Sequence, residues 1–119
     1  MGTNKHFEDL QIWQESRRIV REIYKHTTKL KDFGFNDQIQ RAAISIMNNI
    51  AEGYESGINS VFKRYLFIAK GSCGEVRSML YIAKDLLYIR TIEADALIND
   101  CRGLAIAIHK LADHLTKSK

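Results

Sequence analysis

The chain contains no proline in 119 residues, and this absence constrains its fold more than any other single feature. Proline interrupts helices because it lacks a backbone N–H and clashes with the preceding turn. A chain without proline can therefore form long, uninterrupted helices. It contains only seven glycines, and no segment alternates apolar and polar residues for long, so a loop-rich β fold is a poor candidate. The sequence predicts an all-α protein.

Apolar residues recur at intervals of three and four positions in four segments, which places them on one face of a helix in each case. We expect helices over about residues 9–32, 37–52, 60–90 and 92–116. The breaks follow from Gly34, Gly53 and Gly57, and the expected N-caps are Asn36 and Thr91. Four helices with short connections predict an antiparallel up-down-up-down four-helix bundle, which we expect to form a single domain over residues 1–119.

The third helix carries more apolar residues than one core-facing side requires. The surplus residues are Tyr65, Phe67, Ile68, Tyr81, Ile82, Leu86, Tyr88 and Ile89. The first helix likewise has two adjacent apolar stripes. Because a helix that is apolar all round is normally buried all round, this surplus predicts a subunit interface and a homo-oligomer. The alternative is a bundle with wide core faces and several exposed aromatic residues.

The net charge of +4 is unevenly distributed along the chain. Residues 17–31 contain six basic residues and a single acidic one, Glu22. Basic residues three and four positions apart share one helix face, and such a stripe attracts phosphate groups. The predicted nucleic-acid-binding residues are Arg17, Arg18, Arg21, Lys25 and Lys29, supported by Arg41 and Arg77. The alternative is a solvated face whose like charges are tolerated.

The residue patterns of metal sites are missing from the sequence. His26, His109 and His114 each lack the Glu three positions earlier that a di-metal bundle needs. Cys73 and Cys101 are isolated on the apolar stripes of different helices, so we expect small buried side chains rather than zinc ligands or a disulfide. We therefore predict no metal and no cofactor.

The segment Gly71-Ser72-Cys73-Gly74 lacks the Lys-Ser/Thr end of a phosphate-binding loop and any preceding strand. Glycine inside a helix costs about 1 kcal/mol relative to alanine, so some packing gain should offset it. We expect Gly71, Gly74 and Ser78 to form a small-residue face at a close helix approach.

Four polar residues in the second and third helices admit two interpretations. Arg41, Asn49, Glu52 and Glu75 are predicted to form a structural polar network, since a buried charge needs a partner. The alternative is a nuclease that uses Glu52 and Glu75 as paired carboxylates. We favour the network and predict that the protein is not an enzyme.

Three stretches resemble motifs of a known protein family. They are residues 7–14 (FEDLQIWQ), residues 38–53 (QIQRAAISIMNNIAEG) and residues 62–89, which include IAKGSCGE. Together they resemble the bacterial four-helix-bundle family called 23S rRNA intervening-sequence proteins, over about Phe7 to Leu115. The family often has proline where this chain has Met47, so the second helix should be straighter here.

The resemblance implies a bundle that assembles as a homopentameric ring, and an origin in reading frames within intervening sequences of 23S rRNA genes, although many members are encoded elsewhere. A similar bundle is the accessory protein of diversity-generating retroelements, which binds a reverse transcriptase and nucleic acid. Our leading hypothesis is thus a non-enzymatic homo-oligomer that binds structured rRNA through phosphates. The alternative is an interaction scaffold that docks a partner enzyme such as a reverse transcriptase.

The sequence also predicts a cytoplasmic protein without membrane contact. The stretch from Ala42 to Ala51 is the longest uncharged one in the middle of the chain, well short of the roughly 20 residues that span a bilayer. Residues Met1 to Leu10 are polar and do not resemble a signal peptide.

Overall fold

The computed structural model describes residues 6–117, and the side chains of residues 6–116. A short 3-10 helix, Phe7–Asp9, precedes four α-helices: α1 (Gln11–Thr27), α2 (Phe33–Glu55), α3 (Asn59–Asp85) and α4 (Thr91–Lys117). No residue between 6 and 117 lies in a β-strand. The predicted all-α fold and its four helices are confirmed.

The helices form an elongated bundle of 47 × 21 × 20 Å. Each helix packs against its neighbour in the sequence, and α1 also contacts α4, while α1 lies diagonal to α3 and α2 diagonal to α4. Helix α4 packs more closely against α3 than against α1. Between residues 6 and 117, no helix is both long and apolar enough to cross a membrane.

The core lies along the bundle axis and follows the predicted helical spacing. In α1 one of the two apolar stripes is buried: Ile12, Ser16, Ile19 and Ile23, with Thr27 at the end. The buried apolar residues of the other helices are Ile39, Ala42, Ala43, Ile46 and Ile50 in α2; Phe62, Leu66, Ala69, Cys73, Val76, Leu80 and Ala83 in α3; and Ala94, Leu97, Ile98, Cys101, Leu104, Ile108, Ala112 and Leu115 in α4.

The turn between α1 and α2 differs from its prediction. Helix α1 ends at Thr27, and the side chain of Asp32 caps α2 by accepting a hydrogen bond from the Phe35 N–H at 3.1 Å. Gly34 therefore lies in the first turn of α2 and does not break a helix. Asn36 is not the cap: it is buried and donates to the Leu30 carbonyl at 2.8 Å. The Asp32 carboxylate satisfies one of the free N–H groups in the first turn of α2, which is sufficient to start the helix at this point.

Helix α3 ends at Asp85, five residues earlier than predicted. The Leu87 N–H bonds the Lys84 carbonyl and the Tyr88 N–H bonds the Ala83 carbonyl, at 3.1 and 2.9 Å. These two bonds define a Schellman motif, which needs a left-handed residue after the cap. Leu87 takes that conformation, with φ of 58°. Because this position is usually glycine, the sequence carries no visible stop signal here. Thr91, the expected cap of the last helix, is instead its first residue.

The close helix approach lies at Gly53 rather than at the glycines of α3. A Cβ atom added to Gly53 would lie 2.6 Å from the Cβ of Tyr65. At Gly71 and Gly74 an added Cβ would meet nothing within 4 Å, and Ser78 is exposed. The prediction of close packing at this small-residue face is thus wrong within the chain, because the face points outward. Helix α2 runs without interruption through the position where the family often has proline.

Candidate nucleic-acid interface

One side of α1 presents a row of exposed cations. Arg17, Arg21 and Lys25 follow one another at intervals of four residues, so the row extends for about 12 Å along the helix. Lys29 is exposed just beyond the end of α1. Within the described part of the chain, none of these four side chains forms an ion pair with a carboxylate. Their charges are therefore available to an external anion.

Arg18 has a different role from its neighbours. Its guanidinium donates to Glu15 at 2.7 Å and to Asp100 of α4, also at 2.7 Å. The hydrogen bonds that Arg18 donates to Glu15 and then to Asp100 raise its pKa above the ordinary value. The side chain thus links the looser α1–α4 side of the bundle. Of the predicted phosphate-binding residues on α1, it is the one already engaged within the chain.

Aromatic side chains lie next to the cations of α1. The guanidinium of Arg17 lies over the ring of Trp13, 5.6 Å from its centroid, and Trp13 meets Phe7 edge to face at 5.2 Å. Tyr24, which is 37% exposed, lies between Arg21 and Lys25 in the sequence. An aromatic ring beside a phosphate-binding cation can stack on an unpaired base.

The two supporting arginines lie elsewhere. Arg41 is exposed on α2 and pairs with Asp37, its neighbour one turn earlier, at 2.9 Å. Arg77 is half-buried and lines a groove between α3 and α4. Since α1 and α3 are diagonal, the predicted binding residues do not form one continuous surface. They form a row on α1, an exposed ion pair on α2 and part of a separate groove.

This groove was not anticipated from the sequence. It has a volume of about 460 Å³ and is lined by four cations, Lys70, Arg77, Arg102 and Lys110, and by the His109 imidazole. Its floor is apolar and consists of Cys73, Gly74, Cys101, Ala105 and Ile106. The sequence signal that could have revealed it is a similar spacing of basic residues on two helices: Lys70 and Arg77 on α3, and Arg102 and Lys110 on α4.

The sequence profile of a family described as 23S rRNA-intervening sequence protein matches residues 8–111. The chain belongs to this family. No curated protein shows significant similarity to it. The match covers α1, α2 and α3 in full and most of α4, so every predicted site residue of this intervening-sequence protein lies inside the family region.

The polar motif residues of this 23S rRNA-intervening sequence protein do not form one buried network. Asn49 donates to the carbonyl and hydroxyl oxygens of Ser45 at 2.8 and 2.9 Å. The Ser45 hydroxyl in turn contacts the Ser72 hydroxyl at 2.9 Å, which joins α2 to α3. Arg41 takes no part in this chain of hydrogen bonds. The family motifs thus supply a small serine–asparagine link between two helices.

Glu52 and Glu75 are both exposed and lie apart. Glu52 accepts a hydrogen bond from the Tyr65 hydroxyl at 3.4 Å, and Glu75 accepts one from Gln38 at 3.5 Å. Because Tyr65 and Glu75 are ten residues apart on α3, the two carboxylates lie at levels about 15 Å apart along the bundle. This separation removes the paired carboxylates on which the nuclease hypothesis depended.

The two cysteines are buried free thiols, as expected. Burial raises the pKa of each to about 12, so both remain protonated at neutral pH. In residues 6–117 there is no cluster of three His, Cys, Asp or Glu side chains that could hold a metal ion.

Proposed function

We propose that this member of the 23S rRNA-intervening sequence family is a non-enzymatic, self-associating bundle that binds structured RNA through its phosphates. The observation that carries the proposal is the row of exposed cations formed by Arg17, Arg21 and Lys25 on α1 and continued by Lys29. Lys and Arg side chains without internal partners bind a polyanion by releasing its counterions. Such contacts fix position and carry little base-sequence information.

Self-association rests on the outward face of α3. Its large apolar side chains, Phe67, Ile68, Tyr81, Ile82 and Leu86, are each 43–51% exposed. Gly71 and Ser78 lie between them, so the middle of the face is flat enough for a second helix to approach closely. We propose that another copy of the chain covers this face. Several large apolar side chains exposed on one helix face are typical of an interaction site.

A closed ring, with five copies implied by the family resemblance, would repeat the α1 row around its circumference. Each added copy then increases the number of phosphates that one RNA can contact, and affinity rises steeply with that number. We further propose that the gene arose in a 23S rRNA intervening sequence, as the family description indicates, and that the protein acts in the cytoplasm, where the rRNA is transcribed.

A charge-neutral variant tests the RNA-binding proposal. We expect Arg17→Gln, Arg21→Gln and Lys25→Gln together to weaken binding of a structured RNA and to reduce its salt dependence. Arg18 is left unchanged, because its bonds to Glu15 and Asp100 support the fold.

The matched control removes three cations elsewhere, with Lys63→Gln, Arg64→Gln and Arg90→Gln. Fluorescence anisotropy of a labelled RNA hairpin measures the affinity, and circular dichroism confirms the fold of both variants. Equal loss of affinity in the two variants would show that binding follows net charge and not the α1 row.

Light scattering tests self-association. Wild-type protein at micromolar concentration should have a mass several times that of the 13.7 kDa chain. Ile82→Glu places a charge on the exposed α3 face and should reduce this mass without unfolding the bundle. The matched control Ile58→Glu makes the same change at an exposed isoleucine just before α3 and should leave the mass unchanged. A wild-type monomer would contradict the proposal.

The scaffold alternative has its own supporting observation. Phe33, Leu87 and Ile92 are 75–79% exposed, and all three lie at the end of the bundle where α2 and α4 begin and α3 ends. Exposed large apolar side chains at one end suit a pocket on a partner protein. If the wild type fails to bind RNA at low salt, docking of a partner enzyme at this end becomes the better explanation.

A further inference from the structure

The groove between α3 and α4 has two cationic ends. At one end Lys70 Nζ of α3 lies 3.1 Å from His109 Nδ1 of α4. These two residues therefore lie at the same level of the two antiparallel helices. Seven residues further on α3 lies Arg77, and seven residues earlier on α4 lies Arg102. Seven helical residues correspond to about 10.5 Å, so the Arg77–Arg102 end lies roughly that far from the Lys70–His109 end.

The lining between these ends is apolar. Gly74 and Ala105 contribute almost no side chain, and the thiols of Cys73 and Cys101 are buried and uncharged. Ile106, the largest apolar side chain of the lining, is 53% exposed. The volume of about 460 Å³ lies within the range of roughly 300–1,000 Å³ that is typical of small-molecule sites.

The charge of the groove is not balanced within the chain. Arg77 is half-buried, and it has no carboxylate partner among residues 6–117. Arg102 donates to the neutral Asn99 side chain at 3.1 Å. No Asp or Glu of the described chain lines the groove. A partly desolvated guanidinium without a counter-charge is unfavourable, and its planar donor set matches a phosphate group.

An aromatic contact lies at the Lys70–His109 end. His109 meets Phe67 edge to face, with 6.0 Å between the ring centroids. Because the Lys70 ammonium can only donate a hydrogen bond, His109 Nδ1 accepts it, and the imidazole presents its Nε2 proton as a donor. This end therefore offers a ring edge and a hydrogen-bond donor to a planar heterocycle.

We propose that this groove binds a nucleoside monophosphate, with the phosphate between Arg77 and Arg102 and the base over Ala105 and Ile106 towards His109. A free nucleotide and the 5′-phosphorylated terminal nucleotide of an RNA strand share this chemistry. The inference does not rest on the proposed RNA-binding function, because no residue of the α1 row takes part.

Calorimetric titration with adenosine 5′-monophosphate tests the proposal. We expect saturable binding of the nucleotide. Adenosine alone and inorganic phosphate alone should each bind at least tenfold more weakly. Arg77→Gln and, separately, the exposed Arg102→Gln should each lower the affinity at least tenfold. Arg64→Gln, which makes the same charge change on α3 outside the groove, should change it less than twofold. Amide chemical shifts of Gly74, Cys101 and Ala105 should move on titration.

The source of the ligand and the independence of the site are tested in parallel. The competitor is a short single-stranded RNA, tested with a 5′-phosphate and with a 5′-hydroxyl. If only the 5′-phosphorylated RNA displaces the nucleotide, the site binds an RNA terminus. If neither RNA displaces it, the site binds the free nucleotide. The triple α1 variant should bind the mononucleotide like the wild type. Absence of shift changes in the groove at millimolar nucleotide, or equal binding by Arg77→Gln, overturns the proposal. The proposal is also overturned if Arg77→Gln lowers the oligomer mass but leaves nucleotide affinity unchanged, because the groove would then bind another copy of the chain.

Discussion

Replacing Gly53 by alanine should destabilise the bundle, although alanine is the better helix former. Gly53 lies inside α2 at the point where α2 approaches α3 most closely. An added Cβ would lie 2.6 Å from the Tyr65 Cβ and 3.3 Å from the Phe62 Cα. Neither atom can move by rotating a side chain. The two helices must therefore separate locally.

The size of the effect follows from two opposing contributions. Removing a helical glycine gains about 1 kcal/mol in helix propensity. Overpacking a tight site costs about 1–3 kcal/mol, and the rigid neighbours of Gly53 place it at the upper end of that range. We expect a net loss of about 1–2 kcal/mol in the free energy of unfolding for Gly53→Ala, which corresponds to a fall of several degrees in the melting temperature.

Gly103→Ala is the matched control. Gly103 also lies inside a helix, but an added Cβ there meets nothing within 4 Å. This variant should gain about 1 kcal/mol. Urea unfolding followed by circular dichroism measures both changes at the same protein concentration. Equal shifts in the two variants, or a Gly53→Ala protein as stable as the wild type, would refute the close approach of α2 and α3.

Three further expectations concern single positions. Leu87→Gly should raise the free energy of unfolding by about 1 kcal/mol, because glycine removes the left-handed strain and the exposed leucine loses little burial; an unchanged urea midpoint would argue against this strain. Cys73 and Cys101 should resist iodoacetamide at pH 8 in the folded protein and react in urea, because burial raises the pKa of both thiols to about 12. Mass spectrometry measures the labelling, and rapid labelling of the native protein would show that the core opens there. Glu75→Gln should change the melting temperature little, corresponding to less than about 0.5 kcal/mol, because its contact with Gln38 is long and exposed; a large fall would restore the buried network.

The helical core was predictable because it depends on a local pattern. Spacing of three and four residues alone places Ile39, Ile46 and Ile50 on one face of α2, and the same rule finds the buried faces of α3 and α4. For α1 the pattern gave two adjacent stripes. Only packing against α2 and α4 decides that Ile19 and Ile23 are buried while Tyr24 remains partly exposed.

Helix ends and glycine positions were less predictable, because they depend on context beyond the pattern. Leu87 takes a left-handed conformation that leucine rarely adopts, so the end of α3 has no sequence signature. The sequence indicates a helix stop at Gly53 and close packing at Gly71 and Gly74. Within the chain it is Gly53 that lies at the close approach of two helices, and an added Cβ at Gly71 or Gly74 would meet nothing, because only the packing of the folded helices decides where a helical glycine is needed.

The candidate sites show the same limit. The basic row of α1 is visible in the sequence because its residues share one helix face. The bond from Arg18 to Asp100 joins residues 82 positions apart, so no local pattern could show that Arg18 is already engaged. The groove between α3 and α4 likewise depends on the register of two helices, which the contact of Lys70 with His109 reveals only in the folded chain.

The salt dependence of RNA binding tests the central proposal most directly. The affinity of the wild-type protein for a structured RNA hairpin should be measured from low to physiological salt. Log K should fall linearly with log salt, with a slope of about 0.9 for each phosphate contacted on a duplex, and hairpins of different base sequence should give similar slopes. The variant lacking the charges of Arg17, Arg21 and Lys25 should give a shallower slope. Absence of binding at low salt, or a slope unchanged in this variant, would contradict the proposal.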